Sequence, residues 1–424
     1  IVFFMALSYG FVPQVLGGKI VNQSDISGWQ GMSHEMMEWN AAHPDDQTAW
    51  TESMFGGMPT TTIHAPTKGD WTQWLYNLLM TGKRPATYLF ISLLGAWLLM
   101  LAFGVHPLIA IGGAIAVTFC SYNLQIIQVG HNTKMQAIAF FPWVLAAIAY
   151  VWNIALKKKR WLPYTALGAA GFGLFLSFQV KANHPQITYY LALVILLYSI
   201  GMLIWYLCDR QRRSGIGKFL ASCGLFLVLG CTGIATNAIK LIPTYEYTPH
   251  SIRGGNPQAE GGASKGLDID YATAWSYGWE ELPNLFIPNF NGGSSSGAVN
   301  PRKSETYDLL KQAGQPNLRE VSKSLPLYWG PQPFTAGPMY MGAVTVFLFL
   351  LALICYRGKD KWWIIAACVL SVLLALGSHL MWFTKFFYDF VPLYNKFRTV
   401  SMALVILQIC LPLLAFVFLD RMVR

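Results

Sequence analysis

Five short stretches hold the side chains with which this chain could do chemistry. In the first, Asn22 to Gln30, Asp25 stands a few residues beyond an apolar run and one helical turn before the amphipathic Trp29 and its neighbour Gln30. A carboxylate there can take a proton from an acceptor hydroxyl or hold a divalent cation. It can equally start a helix, since Ser24 and Asp25 precede a helical pattern reaching Trp39. The second stretch, Gln128 to Lys134, places His131 and Lys134 after a Gly130 turn, a spacing suited to a phosphate; Lys134 snorkelling at a membrane interface is the plain alternative. The third, Gln179 to Gln186, carries His184 just ahead of Pro185, where a helix cap competes with a ligand role.

The fourth stretch, Pro243 to Arg253, sets Glu246 between Tyr245 and Tyr247. A carboxylate for sugar hydroxyls and rings for the sugar's C–H face would suit a carbohydrate, although an interfacial aromatic belt also explains the tyrosines. The fifth, Pro392 to Thr399, carries Lys396 and Arg398. Arg is the better bidentate partner for phosphate, and headgroup anchoring is the competing reading. Two other patterns carry less. His34-Glu35 with Glu38 is half of a zinc-protease helix without its second His, and Asp45-Asp46 after Pro44 reads as a turn or helix start.

The elements that position these residues are membrane spans. Of 424 residues, 54% are hydrophobic and 12% charged, against about 25% charged in soluble domains. The formal charge of +10 fits Lys/Arg that orient spans and meet anionic headgroups, so no nucleic-acid partner is expected. The seven cysteines form no CxxC pair and lie in or at the ends of apolar runs, which indicates neither a disulfide framework nor a zinc site. Apolar runs predict spans over about 1–17, 86–104, 107–122, 135–155, 162–179, 186–207, 217–240, 338–356, 362–378 and 400–419. The aromatic stretch 379–399 reads as an interfacial or re-entrant helix.

The expected fold is therefore an all-α polytopic membrane protein with about ten or eleven spans and two long outer loops. Residues 1–240 form a first bundle that includes the loop 18–85, residues 241–337 a second loop region, and 338–424 further spans. Ile1 opens inside an apolar run and reads as the trimmed start of a first span, and the far end reads as a helix from which more chain continues. Strict alternation collects Lys157 to Arg160, Arg210 to Lys218, Arg357 to Lys361, and Arg421 with Arg424 on one side, which the positive-inside rule makes cytoplasmic. Lys385, Lys396 and Arg398 are the exception on the outer side. Seventeen of the twenty acidic residues fall in outer segments and none inside an expected span, which argues against proton- or ion-coupled transport. Within the outer loops, Trp50 to Pro59 and Tyr271 to Phe290 look ordered, while Gly254 to Gly266 and Asn291 to Arg319 look mobile.

Taken in order, Asp25 to Gln30, Trp50 to Pro59, Gly130 to Lys134, Asn183 to Tyr190, Tyr271 to Gly293, Tyr328 to Pro338 and Asn395 to Thr399 resemble the YfhO-like bacterial membrane proteins, in the form found in Bacteroidetes. The likeness runs over nearly the whole chain and rests on order and spacing, not on one motif. Those proteins usually continue through further C-terminal spans, so the chain resembles their N-terminal portion. The resemblance implies a GT-C class glycosyltransferase of the bacterial cytoplasmic (inner) membrane, active on the extracytoplasmic face. It would use a polyprenyl-phosphate sugar and an envelope glycan, lipid or protein as acceptor.

By that resemblance Asp25 matches the catalytic acid of the first outer loop, acting as general base or through a metal with inversion at the anomeric carbon. Arg398, Lys134, His131 and Lys396 would neutralise the departing phosphate. Glu246, Tyr245, Trp29, Gln30 and His184 are the substrate-side candidates. The Asp25 segment lacks the paired acids of several relatives, which leaves use of a divalent cation open. A carrier or flippase for a lipid-linked glycan, or a scaffold in an envelope complex, are the readings from other classes.

Overall fold

The computed structural model describes residues 1–64, 70–255 and 266–424, so most of the stretch Gly254 to Gly266 read as mobile lies outside the described residues. The helices in chain order are α1 (Val2–Phe11), α2 (Ser24–Ala42), α3 (Gln73–Leu79), α4 (Ala86–Ala102), α5 (Pro107–Thr118), α6 (Ser121–Val129) and α7 (Asn132–Asn153). They continue with α8 (Trp161–Lys181), α9 (Pro185–Leu207), α10 (Ile216–Ala235), α11 (Ala238–Tyr247), α12 (Ile269–Thr273), α13 (Glu305–Gln312) and α14 (Leu318–Val321). The last four are α15 (Ala343–Cys355), α16 (Lys361–Ala375), α17 (Met381–Phe390) and α18 (Leu404–Val423). Among the described residues the strand content is one short antiparallel hairpin, β1 (Trp50–Thr51) with β2 (Met58–Pro59), Trp50 facing Pro59 and Thr51 facing Met58.

The chain is thus an all-α protein with several helices apolar enough to lie in a membrane. Five helical stretches among the described residues are long and apolar enough to cross one: 132–157, 161–181, 185–207, 212–235 and 400–423. The number rises to seven if each of two bent pairs counts as one span. The expected span over 107–122 is one such pair, since α5 ends at Thr118 and α6 continues at 45° to it. The other is α16 with the segment through α17, which turns by 109°. Three further expected spans are shorter apolar helices, α1, α4 and α15. The run 1–17 is not one helix: α1 ends at Phe11 and a 3-10 turn follows from Pro13, whose ring locks φ and removes a donor. The run 217–240 likewise ends at Ala235 and restarts as α11.

One apolar core runs through the bundle from Phe4 to Phe418. Its centre is α7 and α18, whose apolar windows are 83% and 89% buried, against 33% and 28% for α9 and the α10 stretch at the rim. α7 packs on α4 and α8, and α18 on α5, α15 and α16. The α8–α10 crossing is close because a Cβ on Gly173 would stand 2.6 Å from the Leu229 carbonyl oxygen, and one on Gly233 would meet the Gly173 carbonyl. Glycine at such crossings lets two apolar helices gain backbone contact.

Hydrogen bonds sort the loops into two ends of the bundle. At one end His106 N donates to Asp420 (2.8 Å), Arg424 to the Gly104 carbonyl (2.9 Å) and Lys359 Nζ to Asn153 Oδ1 (2.6 Å). At the other end Gln23 pairs with Asn132, Gln186 reaches the Arg398 carbonyl (2.8 Å), and Ser121 N donates to Tyr340 O (3.0 Å). The long loops all belong to this second end, where Glu281 is fully buried. Its carboxylate accepts from Gly278 N (2.8 Å), Tyr328 Oη (2.7 Å) and Gln332 Nε2 (3.0 Å), tying residues 278–281 to 328–332.

Candidate functional site

The turn between α6 and α7 makes the centre of the site. Gly130 closes α6 at φ +107°, where a side chain is strained, and a Cβ there would lie 3.1 Å from both the Asp25 and the Gln23 Cβ atoms. The bare turn lets the start of α2 dock onto it. Gln23 donates to the Ile127 carbonyl and exchanges amide hydrogen bonds with Asn132 at 3.2–3.3 Å.

Asp25 is the second residue of α2, and the residue at the cap position, Gln23, makes no side-chain capping bond. The Asp25 carboxylate turns instead to His131, with Oδ2 2.9 Å from Nε2. His131 Nδ1 lies 3.3 Å from the Lys134 Nζ, one turn on in α7. An ammonium can only donate, so Nδ1 accepts and the imidazole proton sits on Nε2, donating to Asp25. Burial, then the Lys134 ammonium, lowers the His131 pKa to about 4, with Asp25 opposing and Arg398 adding to the shift. The ring is therefore neutral near pH 7, and the pair is a carboxylate accepting from a neutral imidazole. Lys134 itself is buried, with its ammonium 5.9 Å from the Tyr122 ring centroid.

The segment 391–401 brings the remaining cations. Leu393 and Thr399 adopt left-handed backbone, φ +66° and +58°, and the strap between them is held on several sides. Thr399 N donates to Ala272 O (3.0 Å), Leu267 N to Asn395 O (2.9 Å), and Gln186 Nε2 to Arg398 O. Arg398 donates to the Tyr271 hydroxyl, its Cζ 5.7 Å from that ring. Arg253 and Lys396 clasp each other's main chain: the guanidinium donates to the Lys396 carbonyl, and the ammonium to the Arg253 carbonyl at 2.7 Å. Arg398 lowers the pKa of Arg253 after burial does, so the two guanidinium groups share one field.

His184 completes the cluster at the cap position of α9, where its side chain makes no capping bond. Burial, then Lys134, then His131 and Arg253, lower its pKa to about 3. Its Nδ1 is buried without a hydrogen-bond partner among the described residues.

Of the residues singled out by sequence, Asp25, His131, Lys134, His184 and Arg398 come together. Lys396 turns its ammonium to the clasp. Trp29 faces away, donating to Ile63 O (3.0 Å) with its ring 6.2 Å from His64. Gln30, Tyr245 and Glu246 are exposed, and no side-chain hydrogen bond or ion pair joins them to the cluster among the described residues. Lys134 thus shares a field with Asp25, Arg398 with Lys134 and His131, and Arg253 with Arg398 and His184, so three cations gather around the one carboxylate of the cluster. Among the described residues no group of three or more His, Cys, Asp or Glu could hold a metal ion. Such a charge balance does not fit a divalent cation at Asp25, and it does fit an anion.

Sequence reasoning did not assign Arg253 or Tyr271 to the site, although both lie in stretches it quoted. It also did not find a second polar centre, although Lys181 lies in the third stretch it quoted. Asp70 and Lys181, 5% and 3% exposed, form an ion pair. Lys181 also donates to Thr72 Oγ1 (3.0 Å) and Gln73 Oε1 (3.2 Å), while Asp70 accepts from Thr72 N (2.9 Å) and its hydroxyl (2.7 Å). The Ser177, Thr236 and Asn237 side chains extend the network. Burial alone would raise the Asp70 pKa, but the bonds from Lys181 and Thr72 outweigh it and lower the value.

No family model, curated protein or solved structure matches this chain.

Proposed function

We propose that this cluster is the active site of a membrane-embedded glycosyltransferase, which moves a sugar from a polyprenyl-phosphate donor to a hydroxyl of an envelope acceptor on the extracytoplasmic face of the bacterial cytoplasmic membrane. The observation that carries this reading is the carboxylate–imidazole pair Asp25–His131, with Lys134 and Arg398 in its field and Arg253 beside Arg398, brought together from segments far apart in the chain. Placing the site outside rests on the basic loops at the opposite end of the bundle.

In this reading the acceptor oxygen attacks the anomeric carbon as the bond from that carbon to the lipid-phosphate oxygen breaks. The acceptor proton passes to Asp25, and the negative charge developing on the phosphate meets the cations. Lipid phosphate leaves as a stable anion, so no general acid is required. The neutral His131 holds the Asp25 carboxylate in place by its Nε2–H, and Lys134 fixes that tautomer. Glu246 and Tyr245 on α11 would enter only as contacts to an extended substrate.

Purified protein incubated with polyprenyl-phosphate sugars and envelope glycan fractions should transfer the sugar, and Asp25→Asn and Arg398→Ala should each lower turnover at least a hundredfold. Full activity in Asp25→Asn removes that residue from the chemistry. Movement of an intact lipid-linked glycan across proteoliposomes, with no covalent change, would favour a carrier instead.

A further inference from the structure

Residues 266–299 and 325–342 build a surface beside the Arg398 strap that the proposed chemistry leaves unused. The two segments pair at Gly292 with Tyr328 and at Gly297 with Leu325, and Ser295 N donates to Thr335 O (2.9 Å). In a chain of net charge +10 they carry four acids, Asp268, Asp270, Glu280 and Glu281, and no Lys, Arg or His. Glu281 is spent on the buried bonds described above, and Asp268 caps α12 by accepting from Tyr271 N (2.9 Å). Asp270 and Glu280 stay exposed.

Aromatic rings lead away from the cluster across this surface. The first is Tyr271, whose hydroxyl accepts from Arg398. One turn on, the Trp275 carbonyl accepts from Ser401 N (3.3 Å), and its indole N–H donates to Phe334 O (3.0 Å). The Phe334 ring meets that indole edge-on, at 5.0 Å and 82°, and is 62% exposed. On the same turn Trp329 is 67% exposed, its benzo ring resting against Gly292, where a Cβ would stand 2.7 Å away. Gln332, between Trp329 and Phe334 in the chain, is held by Glu281, so the turn that presents both rings is fixed.

Rings pinned in this way, with open faces, suit the C–H faces of sugars, because the π face is negative. Acyl chains are the competing occupant of exposed aromatic rings, and two facts disfavour them. Residues 328–337 contain no Leu, Ile or Val, and acids without bases repel anionic headgroups. The same charge balance disfavours any phosphate-rich partner. A neutral polyhydroxyl ligand fits it, since Asp270 and Glu280 can accept from hydroxyls.

We propose that Tyr271, Trp275, Phe334 and Trp329 form a docking surface for an uncharged glycan of several sugars, which ends at Arg398. The inference rests on the transferase reading and narrows its acceptor to a neutral glycan chain, in place of a lipid or a protein. The rings stack on the sugars behind the reacting one, whose hydroxyl then points toward Asp25.

The test uses the full chain in nanodiscs and two uncharged probes, cellohexaose and α-1,6-mannohexaose, with saturation-transfer NMR as the readout. At least one hexaose should bind through its C–H protons, roughly tenfold or more tighter than its disaccharide, as several stacked rings would give. Trp329→Ala and Phe334→Ala should each weaken that binding by roughly fivefold or more, the loss expected for one ring. Trp329→Tyr and Phe334→Tyr keep a ring and should keep the binding. Binding of neither hexaose, unchanged binding in the Ala variants, or equal loss in the Tyr and Ala variants overturns the inference. Tighter binding of a heparin hexasaccharide or of oligolysine also overturns it, because charge would then be what the surface reads. Benzoylphenylalanine at 334 should crosslink to the hexaose, and acyl-chain adducts in its place overturn the choice of occupant. Ring-dependent glycan binding without sugar transfer would leave this inference standing while the transferase reading fails. Transfer to a glycan at the parent's efficiency in both Ala variants would do the reverse.

Discussion

Replacing Asp70 by asparagine keeps the shape of its side chain and removes the charge that faces Lys181. The two side chains are 5% and 3% exposed, so the ammonium left behind cannot recover water. Its remaining partners, Thr72 Oγ1 and Gln73 Oε1, are neutral. Breaking a buried pair in this way costs about 3–5 kcal/mol. Lys181→Met strands the carboxylate with only the two Thr72 donors and should cost a similar amount. The double variant removes both charges, so it should recover much of the loss, with a coupling of at least about 2 kcal/mol between the sites. Reversible unfolding in mixed micelles, followed by tryptophan fluorescence, gives all four corners of the cycle.

The pair also fixes an acid limb. The Asp70 pKa is lowered by folding, so its contribution is present above the ordinary carboxylate range and is lost as pH falls through its folded value, below about 3.8. That limb should vanish in the double variant. A single-variant cost under about 1 kcal/mol, or additive costs in the double, would refute the reasoning.

Gly130→Ala should displace the start of α2, since the new Cβ would crowd the Asp25 and Gln23 Cβ atoms at a strained φ. Transfer activity should fall with the fold intact, and a crosslink between introduced cysteines at 25 and 131 should slow. His131 should titrate well below its usual range by histidine NMR, near pH 4, and lower still in Asp25→Asn, which loses the opposing charge; an ordinary value near 6.5 contradicts the effect assigned to burial and Lys134. Because folding lowers this pKa, its stabilising contribution holds above about pH 6.5 and declines as pH drops toward 4. Glu281→Ala would leave Gly278 N–H and the Tyr328 hydroxyl without their buried acceptor, at roughly 1–3 kcal/mol. Limited proteolysis should then cut residues 282–330 faster than in the parent.

The apolar runs at 162–179, 186–207 and 400–419 mark helices to within a few residues, because burial in lipid and burial in protein both demand uninterrupted apolar sequence. Hydropathy is blind to direction, however. It does not show that the chain bends after Thr118, or that α10 stops at Ala235, since apolar residues continue through both breaks. The reading of 379–399 as interfacial or re-entrant came from its mixed composition, and α17 lies within it.

Asp25, His131, Lys134, His184 and Arg398 were legible as polar residues stranded at helix ends. Their roles relative to each other were not: His131 was expected to face a phosphate, and it faces Asp25. Asp70 stayed hidden because its partner lies more than a hundred residues away, and one sequence carries no trace of such a pairing. Tyr245 and Glu246 looked like a sugar contact from adjacency alone, whereas α11 points both to the surface.

Three helices, α2, α7 and α9, begin at this cluster, with Asp25, His131 and His184 in their first turns or caps. Each start adds roughly half a positive elementary charge from aligned peptide dipoles. That charge belongs to the backbone, so neither pH nor side-chain substitution can remove it. A variant stripped of Lys134, Arg253 and Arg398 would therefore still draw anions toward Asp25, weakly and without a titration curve, as long as the three helices keep their starts together.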